Sequence, residues 1–356
     1  MGLAGAVAGF VLFLAACSKS GGTTNNGGDN GSPDTSLVKL GNAITASYQG
    51  LAANIAPLDA AAVAFAAAPS PSTLTAVQDA FKLAYKSWET VSQFEFGPAT
   101  DKYLTTHFTN AFPTDTNLIK ANMGGTSYVI DGLGNFAAQG FPALDYLLFA
   151  YGNDATLARF TTDGAKQYLK ALTASLKTKS ADVASTWSST YKDKFGKGKG
   201  TDAGSSLSLL ANSFVFDWDV NLQNYEVGIP IGIYGPTTLP KAPAKVEGYY
   251  SGLSVELLAA HAFAFVAIYN SGINDKVKAS SAQSNGQPLN TAITAQWTTL
   301  TTKVTTLPNP LSTGIQNNDP AINAFFTEIR KMTVLLKVDM SSALGIKISF
   351  QDDDGD

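Results

Sequence analysis

Residues 70–91 read SPSTLTAVQDAFKLAYKSWETV, and this stretch decides the fold. Its large apolar residues recur every three or four positions, which is the spacing of one face of an α-helix. They are Leu74, Val77, Phe81, Tyr85, Trp88 and Val91. Ser70 is a typical N-cap, and Pro71 suits the first helical turn, where the missing N–H costs nothing. The segment therefore predicts an amphipathic helix with one buried face, ended by Gly97-Pro98.

The same helical spacing extends in both directions along the chain. It predicts helices over residues 37–68, 156–191, 206–223, 246–269 and 290–307, and a last helix opened by Asp319-Pro320. Residues 99–138 are rich in Thr, Asn and Gly and predict a long irregular insert, with at most a short helix. Strand signals are weak, and the best of them lies at residues 346–350. About four helices in each half predict an all-α fold of two helical-bundle domains packed side by side.

The sharpest internal change of composition is KDKFGKGKGTDAGSS at residues 192–206. A run rich in Gly, Ser and Lys between helical segments is typical of a domain boundary. We therefore expect an N-terminal bundle over residues 37–195 and a C-terminal bundle over residues 196–356.

Composition excludes several kinds of chemistry. The 356 residues include one cysteine and two histidines, His107 and His261, and the formal net charge is −4. A single cysteine excludes a disulfide framework and a Cys-rich zinc site, and the distant histidines exclude an HExxH centre. No strong metal motif remains, so the cofactor stays open, with iron as a candidate. An acidic chain with only two arginines also argues against a nucleic-acid partner.

The N-terminus predicts a bacterial lipoprotein. Residues 3–16 form an apolar run that is too short to span a membrane and is typical of a signal peptide, which we place at residues 1–16. Small residues directly before Cys17 are typical of the lipoprotein processing site, so Cys17 is the predicted point of lipid attachment and membrane contact. No basic residue precedes the run, which leads us to expect further residues upstream of Met1.

Residues 17–36 consist mainly of Gly, Asn, Thr, Ser and Asp and predict a flexible tether. The second mature residue, Ser18, is not the aspartate that retains lipoproteins at the inner membrane. We therefore predict an outer-membrane lipoprotein that faces the periplasm.

The segment GFPALDYLLF, residues 140–149, follows the irregular insert and begins another helix. Pro142 fits the first turn, and a carboxylate at Asp145 is favoured by the helix dipole. Two interpretations are open for Asp145: it belongs to a well-capped buried helix, or it faces a cleft at the domain junction.

This segment resembles the signature of the imelysin-like family, whose motif is Gly-x-His-x-x-Glu. Three further segments resemble the family in the same order: YKSWETVSQFEFGPA at 85–99, KVEGYYSGLSVELL at 245–258 and LLKVDMSSALGIKISF at 335–350. The resemblance extends from about residue 37 to the C-terminus. It implies an all-helical protein of two bundles with a functional site at their interface. It also implies a class of metallopeptidases and a link to bacterial iron uptake.

The chain departs from that signature at two positions. Gly140 matches the family glycine, Pro142 replaces the histidine, and Asp145 replaces the glutamate. Proline neither ligates a metal nor acts as a base, so we expect no catalysis by this motif. The first hypothesis is therefore a non-catalytic binding protein that works with iron-uptake components. The alternatives are a metallopeptidase acting on envelope or extracellular proteins and a structural lipoprotein that presents its surface to a partner.

A second group of polar residues follows from spacing within the predicted helix 246–269. Its members fall on one helical face: Glu247, Ser251, Ser254, Leu258 and His261. This face is either an interhelical hydrogen-bonded seam or a lining of the predicted cleft. For the second case we predict a small ligand, a metal complex or a peptide bound by Asp145, Lys245, Glu247, Tyr249 and Ser251.

Three other acids are open to two interpretations each. Glu95 lies between Phe94 and Phe96, and we favour a solvated helix end over a second cleft carboxylate. Asp217 and Asp219 flank Trp218 and are either helix caps or buried acids.

Overall fold

A computed structural model describes residues 33–125 and 127–350. The predicted signal peptide, Cys17 and most of the predicted tether lie outside these residues. The all-α prediction is confirmed, because the described chain is built from helices and short hairpins. Helix α1 covers Thr35–Ala67 and is capped by the Asp34 carboxylate, which accepts hydrogen bonds from the amides of Ser36 and Leu37.

Residues 70–91 contain the second helix, α2, Pro71–Trp88. Ser70 caps it as predicted, and Thr73 returns a hydrogen bond to the Ser70 amide. The helix ends nine residues before Gly97 rather than at it, because the chain turns at Glu89 and forms a short 3-10 helix, Ser92–Phe94. This early end places Glu89 and Ser92 in the protein interior.

The remaining helices have the following bounds. In the first half they are α3 Pro98–Asp101, α4 Thr106–Thr109, α5 Thr116–Met123, α6 Gly140–Phe149, α7 Asn153–Arg159, α8 Asp163–Thr186 and α9 Lys192–Lys197, with a 3-10 helix at Leu133–Ala138. In the second half they are α10 Ser206–Phe216, α11 Ile229–Ile231, α12 Ser254–Ile268, α13 Asn274–Ala279, α14 Leu289–Val304, α15 Leu311–Gln316, α16 Pro320–Thr333 and α17 Ser341–Ala343, with a 3-10 helix at Pro243–Lys245.

Four π-helical segments interrupt or extend these helices. They are Trp187–Tyr191, Asp217–Gly228, Tyr269–Ile273 and Val334–Met340. A π-helix has i→i+5 hydrogen bonds, is rare, and occurs often at functional sites. The segment Asp217–Gly228 is the longest of these four, and it contains the buried acids Asp217, Asp219 and Glu226.

Two local predictions are wrong. The predicted helix 246–269 begins only at Ser254, because Gly248 and Gly252 adopt left-handed conformations with φ of 57° and 72°. Such conformations are tolerated by glycine and end a right-handed helix. Residues 346–350 form no strand within the described chain. The strands form two short antiparallel hairpins instead: β1 Ile233–Tyr234 with β2 Thr237–Thr238, and β3 Gln283–Ser284 with β4 Gln287–Pro288.

The core is organised around α1, which packs along α2 and α8, while α14 packs against α12 and α16. Aromatic side chains fill both regions; Tyr48 stacks on Trp187, and Trp218 meets Trp297 edge to face. By length and composition alone, α1 and the stretch from Ser254 to Ala279 would be able to cross a membrane. Core helices pass the same test, and both of these bury apolar residues against other helices. The division into bundles at residue 195 stays a prediction.

The signature glycine allows a prediction about stability. Gly140 has φ of 69°, and a Cβ there would collide with the backbone carbonyl of Thr109. We expect Gly140→Ala to lower the free energy of unfolding by more than about 2 kcal/mol, since the left-handed conformation alone costs roughly 1–2 kcal/mol. The matched control is Gly50→Ala, where a Cβ meets no atom within 4 Å inside α1. It should stabilise by about 0.5–1 kcal/mol. Urea unfolding measures both, and equal stability of Gly140→Ala and wild type would contradict this assignment.

Candidate functional site

His261 lies at the centre of the candidate site. It is on α12 and only 1% exposed, and both of its ring nitrogens reach carboxylates. Nδ1 lies 2.7 Å from Oε1 of Glu226, and Nε2 lies 2.7 Å from Oδ2 of Asp217. The Ser92 hydroxyl donates to the same Asp217 oxygen over 2.9 Å. A buried imidazole is therefore held from two sides by acids.

The π-helical segment Asp217–Gly228 explains how one helix supplies both acids. Asp217 and Glu226 are nine residues apart. In an α-helix, nine residues make about two and a half turns, which would place these side chains on opposite faces. With i→i+5 hydrogen bonds, nine residues make about two turns, so the two acids share a face. The wider helix is thus what lets both carboxylates reach His261.

Two more acids complete the group. Glu89, just beyond the end of α2, places Oε2 3.4 Å from Nδ1 of His261. Glu247 accepts a hydrogen bond of 2.6 Å from the Asn110 amide, whose oxygen accepts from the Tyr85 hydroxyl over 2.8 Å. We call Glu89, Asp217, Glu226, Glu247 and His261 the acid–histidine cluster. None of these five residues is more than 5% exposed.

The electrostatics of the cluster follow from burial and from mutual repulsion. Burial opposes a charged imidazole, but the carboxylates of Asp217 and Glu226 outweigh it and raise the pKa of His261 well above its usual value. Burial, together with the negative charge of Glu247, raises the pKa of Glu89 well above its usual value. Burial and the charge of Glu226 raise the pKa of Glu247 to about 8. Four buried acids thus surround a single cationic side chain.

Several oxygen atoms of the cluster have no hydrogen-bond partner among the described residues. They are Oε1 of Glu89, Oε2 of Glu226 and Oε2 of Glu247. Buried polar atoms in folded proteins are nearly always paired, so each unpaired atom requires a reason. Carboxylate oxygens and an imidazole nitrogen are metal ligands, and Glu89, Glu226 and His261 offer ligand atoms that lie within 4.8 Å of one another.

The signature segment has a different role in this structure. Pro142 occupies the first turn of α6 as predicted, and Asp145 is buried. The two carboxylate oxygens of Asp145 accept hydrogen bonds of 2.9 Å from the backbone amides of Tyr250 and Ser251. Burial raises the pKa of Asp145 to about 6, against the effect of these bonds. Asp145 therefore fastens the segment 246–253 to α6, and that segment carries Glu247.

The five predicted ligand-binding residues lie near one another but have different surroundings. Asp145 and Ser251 are joined by hydrogen bonding, and Glu247 turns inward to the acid–histidine cluster. Lys245 is exposed, and Tyr249 is 38% exposed against the ring of Tyr250. As a set that binds a ligand, they stay a prediction.

The predicted helical face from Glu247 to His261 is wrong as a helix, because α12 begins at Ser254. Glu247 and His261 nevertheless reach one cluster through the fold. Sequence reasoning missed Glu89, Glu226, Asn110 and Ser92. A signal existed for two of them, since Tyr85, Glu89 and Ser92 follow at i, i+4 and i+7. No sequence signal pointed to Glu226, because an α-helical period places it on the face opposite to Asp217.

The structure also decides between the interpretations of the other acids. Asp217 and Asp219 are buried acids rather than caps, and Asp219 pairs with Lys337 at 3.1 Å. Glu95 lies at the end of the short 3-10 helix Ser92–Phe94, as the favoured interpretation has it, but it is half-buried rather than solvated. It accepts a hydrogen bond from the Thr106 amide, and burial raises its pKa to about 7.

The fold and the site define an all-α protein built around an enclosed acid–histidine cluster. The imelysin family model matches residues 44–331, and the chain belongs to the imelysin family. An imelysin-like protein from Psychrobacter arcticus shares the fold, with 18% identity, a TM-score of 0.64, and 90% of this chain and 99% of that chain covered. An iron-regulated protein A precursor from Parabacteroides distasonis shares it too, with 16% identity, a TM-score of 0.69, and 88% and 97% covered. None of the curated proteins matches the chain.

The role of Asp145 yields a prediction. Asp145→Ala removes the acceptor of two backbone amides, and each buried unpaired amide costs about 1–3 kcal/mol. We expect a loss of about 2–4 kcal/mol in the free energy of unfolding and faster hydrogen exchange at Tyr250 and Ser251. Asp145→Asn keeps an acceptor oxygen and should lose less. Hydrogen exchange by mass spectrometry on the segment 246–253 checks this, and unchanged protection in Asp145→Ala would contradict the role.

Glu95 yields a prediction about pH. The folded chain keeps the Glu95 proton up to about pH 7, whereas the unfolded chain releases it near the ordinary value of 4.5. Between these limits the free energy of unfolding falls as the pH rises, by at most about 1.4 kcal/mol per pH unit from this group. Glu95→Gln should flatten the profile in this window, measured by urea unfolding from pH 4.5 to 7.5. The control, Glu256→Gln on the exposed partner of Lys86, should leave the slope unchanged.

Proposed function

We propose that this protein is a lipid-anchored imelysin-like protein of the bacterial envelope that binds an iron-containing ligand without hydrolysing peptides. It faces the periplasm from the outer membrane and serves iron acquisition together with uptake components. Membership of the imelysin family and the fold shared with an iron-regulated protein support the link to iron. Cys17 and the apolar run before it support the anchor.

The closed geometry of the acid–histidine cluster carries this proposal. A hydrolytic metal centre keeps an open coordination position that substrate or water reaches. Here every member of the cluster is at most 5% exposed, so a polypeptide has no path to it in this conformation. The cluster combines the donor atoms of a metal site with the enclosure of a binding site. Pro142 at the signature histidine position also favours binding over hydrolysis.

The five predicted residues fit this proposal in two groups. Asp145 and Ser251 hold the segment 246–253 in place, and Glu247 brings that segment to the cluster. Tyr249 is exposed on this segment, and Lys245 is exposed directly before it. A partner protein or the outer part of a metal complex can therefore contact both side chains.

The proposal is tested on the full chain expressed in bacteria with labelled palmitate and purified from membranes in detergent. We expect label on the wild type and none on Cys17→Ala, which should move to the soluble periplasmic fraction. Calorimetry with ferrous iron, ferric iron and haem should show binding of one of these, weakened in Asp145→Ala because the segment that carries Glu247 loosens. A casein assay should show no hydrolysis.

Each opposite outcome has a defined meaning. Chelator-sensitive hydrolysis of casein would establish the metallopeptidase alternative. Membrane association that persists in Cys17→Ala would contradict the lipid anchor. A chain that binds none of the three iron species would contradict the role in iron acquisition.

A further inference from the structure

We propose that Glu89, Glu226 and Nδ1 of His261 bind one divalent first-row transition cation, with Glu247 beside them as a further carboxylate ligand. The site lies in the acid–histidine cluster and not at the signature positions 140–145. This inference rests on the proposed function and names the chemical class of ligand and the atoms that hold it.

The three ligand groups already have the separations that a shared cation needs. Nδ1 of His261 lies 2.7 Å from Glu226 Oε1 and 3.4 Å from Glu89 Oε2. Metal–nitrogen and metal–oxygen distances of about 2.0–2.2 Å place neighbouring ligand atoms about 3 Å apart. Rotations of the two glutamate side chains are enough to change contact with Nδ1 into ligation of a common ion.

The other side of the imidazole is already arranged as in a metal-bound histidine. Such a histidine donates its second N–H to a carboxylate, which fixes the tautomer and the ring orientation. Nε2 lies 2.7 Å from Asp217 Oδ2, and Asp217 is held in turn by the Ser92 hydroxyl and, over 2.6 Å, by the Asn221 amide. When a cation binds, it would displace the proton of Nδ1, which faces Glu226 and Glu89, while the proton on Nε2 stays with Asp217. Asp217 is thus a positioning residue.

Unpaired atoms supply independent support for a bound ion. Oε1 of Glu89, Oε2 of Glu226 and Oε2 of Glu247 are buried and, as ionised carboxylates, have no hydrogen-bond donor in residues 33–125 and 127–350. Glu89 and Glu247 are hydrogen-bonded to each other only when one of them is protonated. No lysine or arginine in these ranges forms an ion pair with any of the three glutamates. Two other buried acids are paired with lysines, Asp59 with Lys177 and Asp219 with Lys337. A bound cation would balance the charge of the three carboxylates, which no lysine or arginine in these ranges does.

The donor set indicates which cation. Carboxylate oxygens with one imidazole nitrogen suit Fe²⁺, Mn²⁺ and Zn²⁺. Ca²⁺ and Mg²⁺ prefer oxygen ligands throughout, and Cu⁺ prefers sulfur ligands. Three carboxyl groups that release their protons when a cation binds favour a dication over a neutral ligand. The site therefore selects a divalent transition metal through its single histidine.

The test uses the full chain in detergent with Mn²⁺, anaerobic Fe²⁺, Zn²⁺ and Ca²⁺ as separate probes in calorimetry. We expect one site per chain for the transition metals and at least tenfold weaker binding of Ca²⁺. Glu89→Gln, Glu226→Gln and His261→Gln should each weaken Mn²⁺ binding at least 100-fold. Asp217→Asn should weaken it by about 10- to 100-fold, as loss of an outer carboxylate does. The matched control is Asp219→Asn, a buried acid on the same π-helical segment, and it should change affinity less than threefold.

A spectroscopic measurement on the wild type does not depend on how the variants fold. Pulsed electron paramagnetic resonance of the Mn²⁺-loaded chain should show one imidazole nitrogen coupled to the metal. For Asp217→Asn, the same coupling should persist with a changed magnitude, which separates positioning from a general loss of structure.

Several results would overturn the site. They are the absence of nitrogen coupling, Ca²⁺ binding as tight as Mn²⁺ binding, wild-type affinity in both glutamine variants at positions 89 and 226, or failure of every probe to bind. Iron binding that ignores these substitutions would remove this site and leave the proposed function standing. Mn²⁺ or Zn²⁺ binding here without any iron binding would establish the site and contradict the role in iron acquisition.

Discussion

The imidazole of His261 between the carboxylates of Asp217 and Glu226 is the interaction on which the rest of the structure depends. It joins α12 to the π-helical segment Asp217–Gly228, and Ser92 and Glu89 join the end of α2 to both. Removing one partner of a buried ion pair leaves an uncompensated charge, which is far more costly than the pair itself. These three elements are therefore bound to a common arrangement by charge as well as by apolar packing.

The signature segment, residues 140–149, supports the acid–histidine cluster without contributing a residue to it. Gly140 allows α6 to start against the backbone of Thr109, and Pro142 completes the first turn. Both carboxylate oxygens of Asp145 accept hydrogen bonds from backbone amides of the segment 246–253, which contains Glu247. A carboxylate with both oxygens engaged in this way orders the chain, and a proline at position 142 does not disturb that task. In this chain the motif has a structural role, and the proposed metal ligands belong to the acid–histidine cluster.

Helical stripes such as residues 70–91 were predictable because burial of one face imposes a period near 3.6. The break at 246–253 was not, because left-handed glycines leave no mark on hydrophobic spacing. The π-helical segment was harder still: read with an α-helical period, Asp217 and Glu226 point apart, and only the wider turn unites them. Glu247 shows the opposite case. The spacing that marks it as a candidate assumes a helix over 246–269, and this part of the chain is not helical before Ser254. Tertiary folding nevertheless brings Glu247 to the cluster that contains His261.

Several departures from ordinary stability rules lie around His261. A long π-helical segment, two left-handed glycines, four buried acids and three unpaired carboxylate oxygens lie around one histidine. Replacing buried charged groups with apolar ones of similar volume is often neutral or stabilising, so stability alone does not explain four acids around one histidine. Local rules in natural proteins fail mainly where function opposes stability. Four buried acids around His261 therefore support the proposed cation site over the alternative of an interhelical hydrogen-bonded seam.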